Sequence, residues 1–119
     1  MTSIRLYGLS NCDTCRKAKH WLDRFSLDYH FVDYRAQPIS ADTLKEWARQ
    51  LGGWERLINC SSTTWRKLPP DCKLPGSDAQ WALLIKEYPV LVRRPVVLCA
   101  DGSLSVGFSE NGFRELFGF

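Results

Sequence analysis

The chain reads as an α/β fold with a mixed sheet, in the order βαβ, helical insert, β-hairpin and closing helix. Three observations predict it. An alternating, β-rich segment runs into an amphipathic helix and then into a second β-rich segment, the pattern of a parallel, right-handed βαβ unit. A middle third follows in which apolar residues recur at helical spacing. An apolar run, an Asp-Gly pair and another β segment then predict an antiparallel hairpin near the C-terminus.

The first strand is expected over Ser3 to Gly8, where apolar and polar residues alternate. Ser10 or Asn11 is placed to cap the helix that follows. Ala18, Trp21, Leu22 and Phe25 fall at i, i+3, i+4 and i+7 and give that helix one apolar stripe. Asp28 to Tyr34, rich in aromatic and β-branched residues, predicts the second strand. Ser40 then caps a helix with the stripe Leu44, Trp47, Ala48 and Leu51, which Gly52-Gly53 terminates. Short helical segments are expected at Trp54 to Ile58 and Ser61 to Leu68, a loop from Pro69 to Gly76, and a longer helix from Asp78 to Tyr88 that Pro89 stops. Pro95 to Ala100 and Leu104 to Phe108 form the hairpin around Asp101-Gly102. Ser109 caps a last helix carrying Phe113, Leu116 and Phe117. This order is thioredoxin-like, and predicts one domain over residues 1–119 with a helical subdomain at about 40–88.

Composition narrows the class. A chain of 119 residues can bury one core without disulfide staples. Five cysteines, an odd number, argue against a fully paired disulfide scaffold. The net charge of +3 is mild, and no block of like charges marks a nucleic-acid tail, so direct nucleic-acid binding is not expected. No apolar run reaches the roughly 20 residues of a membrane span. Met1 to Leu6 lacks the basic and apolar pattern of a secretory leader, which makes a cytoplasmic location the expectation. Nothing in the sequence demands more than a monomer.

The chemistry concentrates at Asn11-Cys12-Asp13-Thr14-Cys15, at the junction of strand and helix. A helix N-terminus presents unpaired N–H groups and a partial positive charge, both of which favour a thiolate. Arg16 and Lys17 add positive potential one turn on, and Asp13 opposes them. Cys12, the outer cysteine, is therefore the expected nucleophile and Cys15 its resolving partner. Arg94 precedes Pro95 at the start of a strand, where a thioredoxin-like fold carries a cis-proline facing the cysteine helix. Arg94 would then reach Cys12. No zinc site is expected, because Cys60, Cys72, His20 and His30 form no second close pair. Cys60 reads as a bystander thiol, Cys72 as a loop residue, Cys99 as core, and both histidines as structural or surface residues.

Four stretches resemble the arsenate reductase (ArsC) family nearly end to end, and within it the branch of YffB-type and Spx-type proteins. They are Leu6-Tyr7-Gly8 with Asn11-Cys12-Asp13-Thr14-Cys15-Arg16-Lys17-Ala18, then Thr63-Thr64-Trp65-Arg66-Lys67-Leu68, Arg93-Arg94-Pro95-Val96-Val97, and Val106-Gly107-Phe108-Ser109-Glu110. The first two are most similar to the YffB type, for which glutathione-dependent thiol reduction is proposed. The resemblance implies Cys12, Cys15 and Arg94 as catalytic residues, and Asn11, Arg94 and Pro95 as the residues that bind glutathione, a co-substrate rather than a resident cofactor. The partners would be glutathione and an oxidised thiol. Arsenate reductases of the family hold their oxyanion with three arginines; Arg94 matches one, and Asn59 and Gly107 stand at the other two, which argues against arsenate. Spx-type regulators bind the α subunit of RNA polymerase, and Gly53 stands by position at the corresponding docking surface, although Gly52-Gly53 also serves as a helix stop.

Overall fold

The computed structural model describes residues 4–73 and 75–119, without the side chains of residues 71 and 72. The element order is β1 (Ile4–Gly8), α1 (Asp13–Arg24), β2 (Tyr29–Asp33), α2 (Ala41–Leu51), α3 (Trp54–Leu57), α4 (Thr63–Lys67), α5 (Asp78–Glu87), β3 (Val96–Leu98), β4 (Leu104–Val106) and α6 (Glu110–Phe117), with 3₁₀ turns at Pro70–Lys73 and Pro89–Leu91. Ser3, expected at the start of the first strand, and the side chain of Cys72 lie outside the described residues. The chain divides into two compact units, Met1–Asp33 with Arg94–Phe119, and Tyr34–Arg93.

The first unit holds a four-stranded mixed sheet in the order β2-β1-β3-β4. β1 and β2 run parallel, with Gly8 opposite Asp33, and β3 pairs antiparallel with both β1 and β4. Alternation along β1 sends Ile4, Leu6 and Gly8 inward while Arg5 faces out. Ile4 and Leu6 meet Ala18, Trp21 and Leu22 of α1, Val97 of β3 and Phe113 of α6 in one core. The 3.6-residue period explains why α1 contributes Cys15, Ala18, Trp21 and Leu22 to its buried face. Trp21 is ringed by Phe25, Phe113, Phe117 and Phe119 at centroid distances of 4.4–5.8 Å. Its buried Nε1–H finds no acceptor among the described residues. Such an orphan costs about 1–3 kcal/mol, which the aromatic packing offsets. This is a thioredoxin-like α/β arrangement, with βαβ and hairpin halves in one sheet.

Three local expectations are corrected. Ser10 does not cap α1, because it lies two residues before the N-cap; its hydroxyl and N–H both donate to the Asp33 carboxylate, at 2.7 and 3.3 Å. Asn11 does not cap it either: the N-cap position is Cys12. The hairpin closes through Ala100, Asp101 and Gly102 rather than through Asp-Gly alone, since Cys99 and Ser103 are still hydrogen-bonded at 2.9 Å. Gly102 supplies the left-handed residue such a three-residue turn requires, at φ +90°. β4 ends at Val106, two residues before the expected end, where Gly107 turns at φ +81°.

The second unit is helical. Ser40, Ser62 and Ser77 each accept a hydrogen bond from the N–H three residues on, and so start α2, α4 and α5. Gly52, at φ +94°, ends α2 in the left-handed conformation that favours glycine. The loop expected from Pro69 to Gly76 contains the 3₁₀ turn at Pro70–Lys73. Trp54, Trp81 and Trp65 form a near-parallel stack with centroids 5.9 and 6.0 Å apart. Trp54 anchors it by donating Nε1–H to Asp78 at 2.7 Å. At the ends of this unit, the Tyr34 hydroxyl donates to the Val92 carbonyl at 2.9 Å.

Candidate active site

Cys12 stands at the N-cap of α1 in extended conformation, where a serine or aspartate would close a cap hydrogen bond, and forms no such bond itself. Its sulfur is therefore left to the groups around it. Partial burial pushes the thiol pKa up, but the N–H and thiol of Cys15, the side chain of Arg94 and the N–H of Thr14 all favour the thiolate, and the net effect is a pKa below the ordinary value. The donors at N2 and N3 are the orphan amides of the helix start. A sulfur anion there gains from the same dipole that favours any anion.

Cys15 lies one turn deeper and is only 1% exposed. Burial first, and then the neighbouring Cys12, push its thiol up to about 11, although the Leu9 N–H opposes them. The two cysteines are thus unlike. One is partly exposed and acidified, and the other is buried, protonated and donating toward the first. Cys15 also explains Gly8, because a Cβ at that position would lie 2.5 Å from the Cys15 sulfur.

Arg94 is half-buried and joined to Pro95 by a cis peptide bond. Pro95 is buried, and its carbonyl accepts the Gly107 N–H at 2.9 Å, which fixes the start of β3 against the start of the β4–α6 loop. The structure thus brings Cys12, Cys15 and Arg94 together, with Asn11 exposed in the turn just before Cys12. Arg16 is opposed by Asp13, as expected. Its guanidinium pairs with Asp13 at 2.9 Å on the exposed face, so the cation that addresses the sulfur is Arg94.

The remaining residues fall elsewhere. His20 and His30 are exposed. Cys60 is a half-buried free thiol in the second unit. Cys99 packs partly exposed against the core, and burial raises its pKa. A groove of about 770 Å³ runs past Lys17, His20, Trp21 and Phe108, but Cys12, Cys15 and Arg94 are not among the residues that line it. Among the described residues, no group of three or more His, Cys, Asp or Glu side chains could hold a metal, and no helix is long and apolar enough to cross a membrane. Sequence reasoning missed Asp33, whose bond to Ser10 had no local signal, since 23 residues separate them. It also missed Gly8, although a small residue at the end of β1, ahead of a cysteine-bearing turn, was a readable sign.

The pH dependence of alkylation follows directly. The Cys12 rate with iodoacetamide should rise through a midpoint below that of an ordinary cysteine, because the reactive thiolate persists to lower pH when the pKa is lowered. Mass mapping should find Cys15 unmodified until well above pH 9, given its value of about 11. A Cys12 midpoint at or above that of a free cysteine would contradict this description of the site.

Residues 7–116 match the ArsC family. An uncharacterised protein of Haemophilus influenzae is 34% identical over 114 residues, covering 96% of this chain and 98% of its own. The global transcriptional regulator Spx of Listeria innocua is also 34% identical, over 94% of this chain and 85% of the regulator. The solved structure of a YFFB protein superposes with a TM-score of 0.83 at 34% identity, covering 94% of this chain and 96% of that one. With a cysteine at the helix start and arginine and proline opening β3, the chain belongs to the ArsC family, in the branch that holds its YffB-like and Spx relatives.

Proposed function

We propose that this protein is a glutathione-dependent thiol–disulfide reductase with Cys12 as its nucleophile. The observation that supports the reading best is the set of donors on the Cys12 sulfur, with Arg94 among them. In the first step the Cys12 thiolate attacks one sulfur of a disulfide. A Cys12–substrate disulfide forms, the substrate S–S bond breaks, and the other sulfur leaves as a thiolate that takes a proton from water. In the second step a glutathione thiolate attacks the Cys12 sulfur, releases the reduced substrate and leaves a Cys12–glutathione disulfide. A second glutathione then frees Cys12 and departs as glutathione disulfide, which carries away the two electrons' worth of oxidation. Arg94 serves twice, as partner of the thiolate and as a cation for a glutathione carboxylate, and Asn11 and Pro95 border the same place.

Cys15 is the alternative resolver. While Cys12 is a thiolate, it holds the Cys15 proton in place by hydrogen bond and charge. Both effects vanish once Cys12 is in a mixed disulfide, although burial remains. Arsenate fits less well, since Asn59 uses its side-chain oxygen on the Ser61 N–H and Gly107 has no side chain. A second reading, a redox-sensing regulator that docks on the RNA polymerase α subunit, draws on the relative named a global transcriptional regulator.

Intact mass after incubation with glutathione disulfide separates these readings. The reductase predicts one glutathione adduct, mapped to Cys12 and removed by excess glutathione. Arg94→Leu should slow its formation about tenfold at neutral pH, through loss of the charge-assisted bond to the thiolate. A Cys12–Cys15 disulfide with no adduct, together with binding to purified polymerase α subunit, would favour the regulator. No reaction at Cys12 would sink both.

A further inference from the structure

The turn that carries Cys12 is only four residues long, Leu9 to Cys12, yet it is pinned at two points. The Leu9 N–H faces the Cys15 sulfur. Ser10 gives both of its donors to Asp33, Oγ–H at 2.7 Å and N–H at 3.3 Å. Asp33 is the last residue of β2 and lies opposite Gly8, the last residue of β1. Its carboxylate is therefore delivered by the parallel register to the point where the chain leaves the sheet. Cys12 is the last residue of this turn, and its sulfur faces the N–H groups of Thr14 and Cys15.

We propose that Asp33 is a positioning residue for the nucleophile, acting through Ser10 to hold the turn that presents Cys12 to the start of α1. The inference rests on the reading of Cys12 as the reactive thiol, and not on what it reacts with. The carboxylate accepts two bonds from one residue and so fixes both the path and the rotation of the turn. A neutral acceptor of the same shape would keep much of that hold. A methyl group would keep none.

Two opposed effects make the proposal testable. A carboxylate near a thiol disfavours the thiolate by its charge, whereas a carboxylate that aligns the turn favours it by geometry. The measurement is the pH midpoint of iodoacetamide modification at Cys12 in the full chain. Asp33→Asn removes the charge and keeps an acceptor, so the midpoint should stay at the parent value or fall slightly. Asp33→Ala and Ser10→Ala should each raise it by about half to one unit, the scale of one lost net hydrogen bond. The pair together should raise it no further than either alone. Ser10→Thr, which keeps the hydroxyl, should restore the parent midpoint.

A merely structural role would lower the melting temperature and leave the midpoint in place, and that result would overturn the proposal. So would an Asp33→Ala midpoint that falls, which would make Asp33 only a local charge. If Asp33→Ala fails to fold, Ser10→Ala carries the same expectation on an exposed side chain. Because alkylation needs no physiological substrate, parent protein that shows no glutathione turnover would defeat the reductase reading while these shifts still decide the role of Asp33.

Discussion

Replacing Cys12 with serine should lower the rate of reaction with glutathione disulfide by about 10³-fold or more while leaving the fold intact. The serine hydroxyl sits where the sulfur sat, and the amides of Thr14 and Cys15 would still face it. No such arrangement brings an alcohol near ionisation at neutral pH, so the nucleophile is lost, not weakened. Stability should hold, since serine is among the preferred residues at an N-cap and the site is partly exposed. Cys15→Ser is the informative contrast. It should keep the Cys12 adduct and, at most, slow its release, because the buried thiol assists but does not initiate. Stopped-flow or mass-resolved kinetics on both variants give the answer. A Cys12→Ser rate within tenfold of the parent would end the catalytic assignment.

Gly8→Ala should cost about 1–3 kcal/mol of stability, the range for forcing one extra carbon into a packed site. The added Cβ would lie 2.5 Å from the Cys15 sulfur and 3.4 Å from Phe31 Cε1. Gly8 does not carry a positive φ, so the backbone itself would accept alanine and the cost falls on packing. Neither side yields easily: Gly8 ends β1, an inner strand of the sheet, and Cys15 is fixed by its helix. Cys15→Ala in the Gly8→Ala background should recover most of the loss, because removal of the sulfur vacates the space. Chemical denaturation of the four proteins of this cycle measures that coupling. Gly8→Ala as stable as the parent would show that the thiol can swing aside, and with it that Cys15 is freer to act as a resolver.

Much of this was legible in the residues. The βαβ unit and the helix caps at Ser40 and Ser109 follow from spacing and cap chemistry, and the approach of Arg94 to Cys12 from the likeness to a thioredoxin-like fold. The two misreadings have different causes. Ser10 or Asn11 is a cap by residue type, but α1 starts at Asp13 with Cys12 as its N-cap, and the Ser10 hydroxyl donates instead to a carboxylate 23 residues away. Arg16, one turn along, is expected to add positive potential at the helix start, whereas Asp13, three residues before it, takes it as a partner in solvent. Local sequence shows which bonds a side chain can make. For Ser10, only the register of β1 with β2 brings up the Asp33 carboxylate that takes its hydroxyl.

The bond from the Tyr34 hydroxyl to the Val92 carbonyl bears on how the first unit can assemble at all. β1 and β3 must pair across the whole helical unit, and closing so long a disordered loop costs on the order of 4 kcal/mol in chain entropy. Tyr34 and Val92 are 58 residues apart in sequence, and both are buried. Once the helical unit has folded, this bond brings its two ends together. For the sheet, the long insertion then behaves as a short connection. A ribosome releasing this chain would expose Cys12 early as an ordinary thiol, and it would acquire its arginine only after the helical unit had been made.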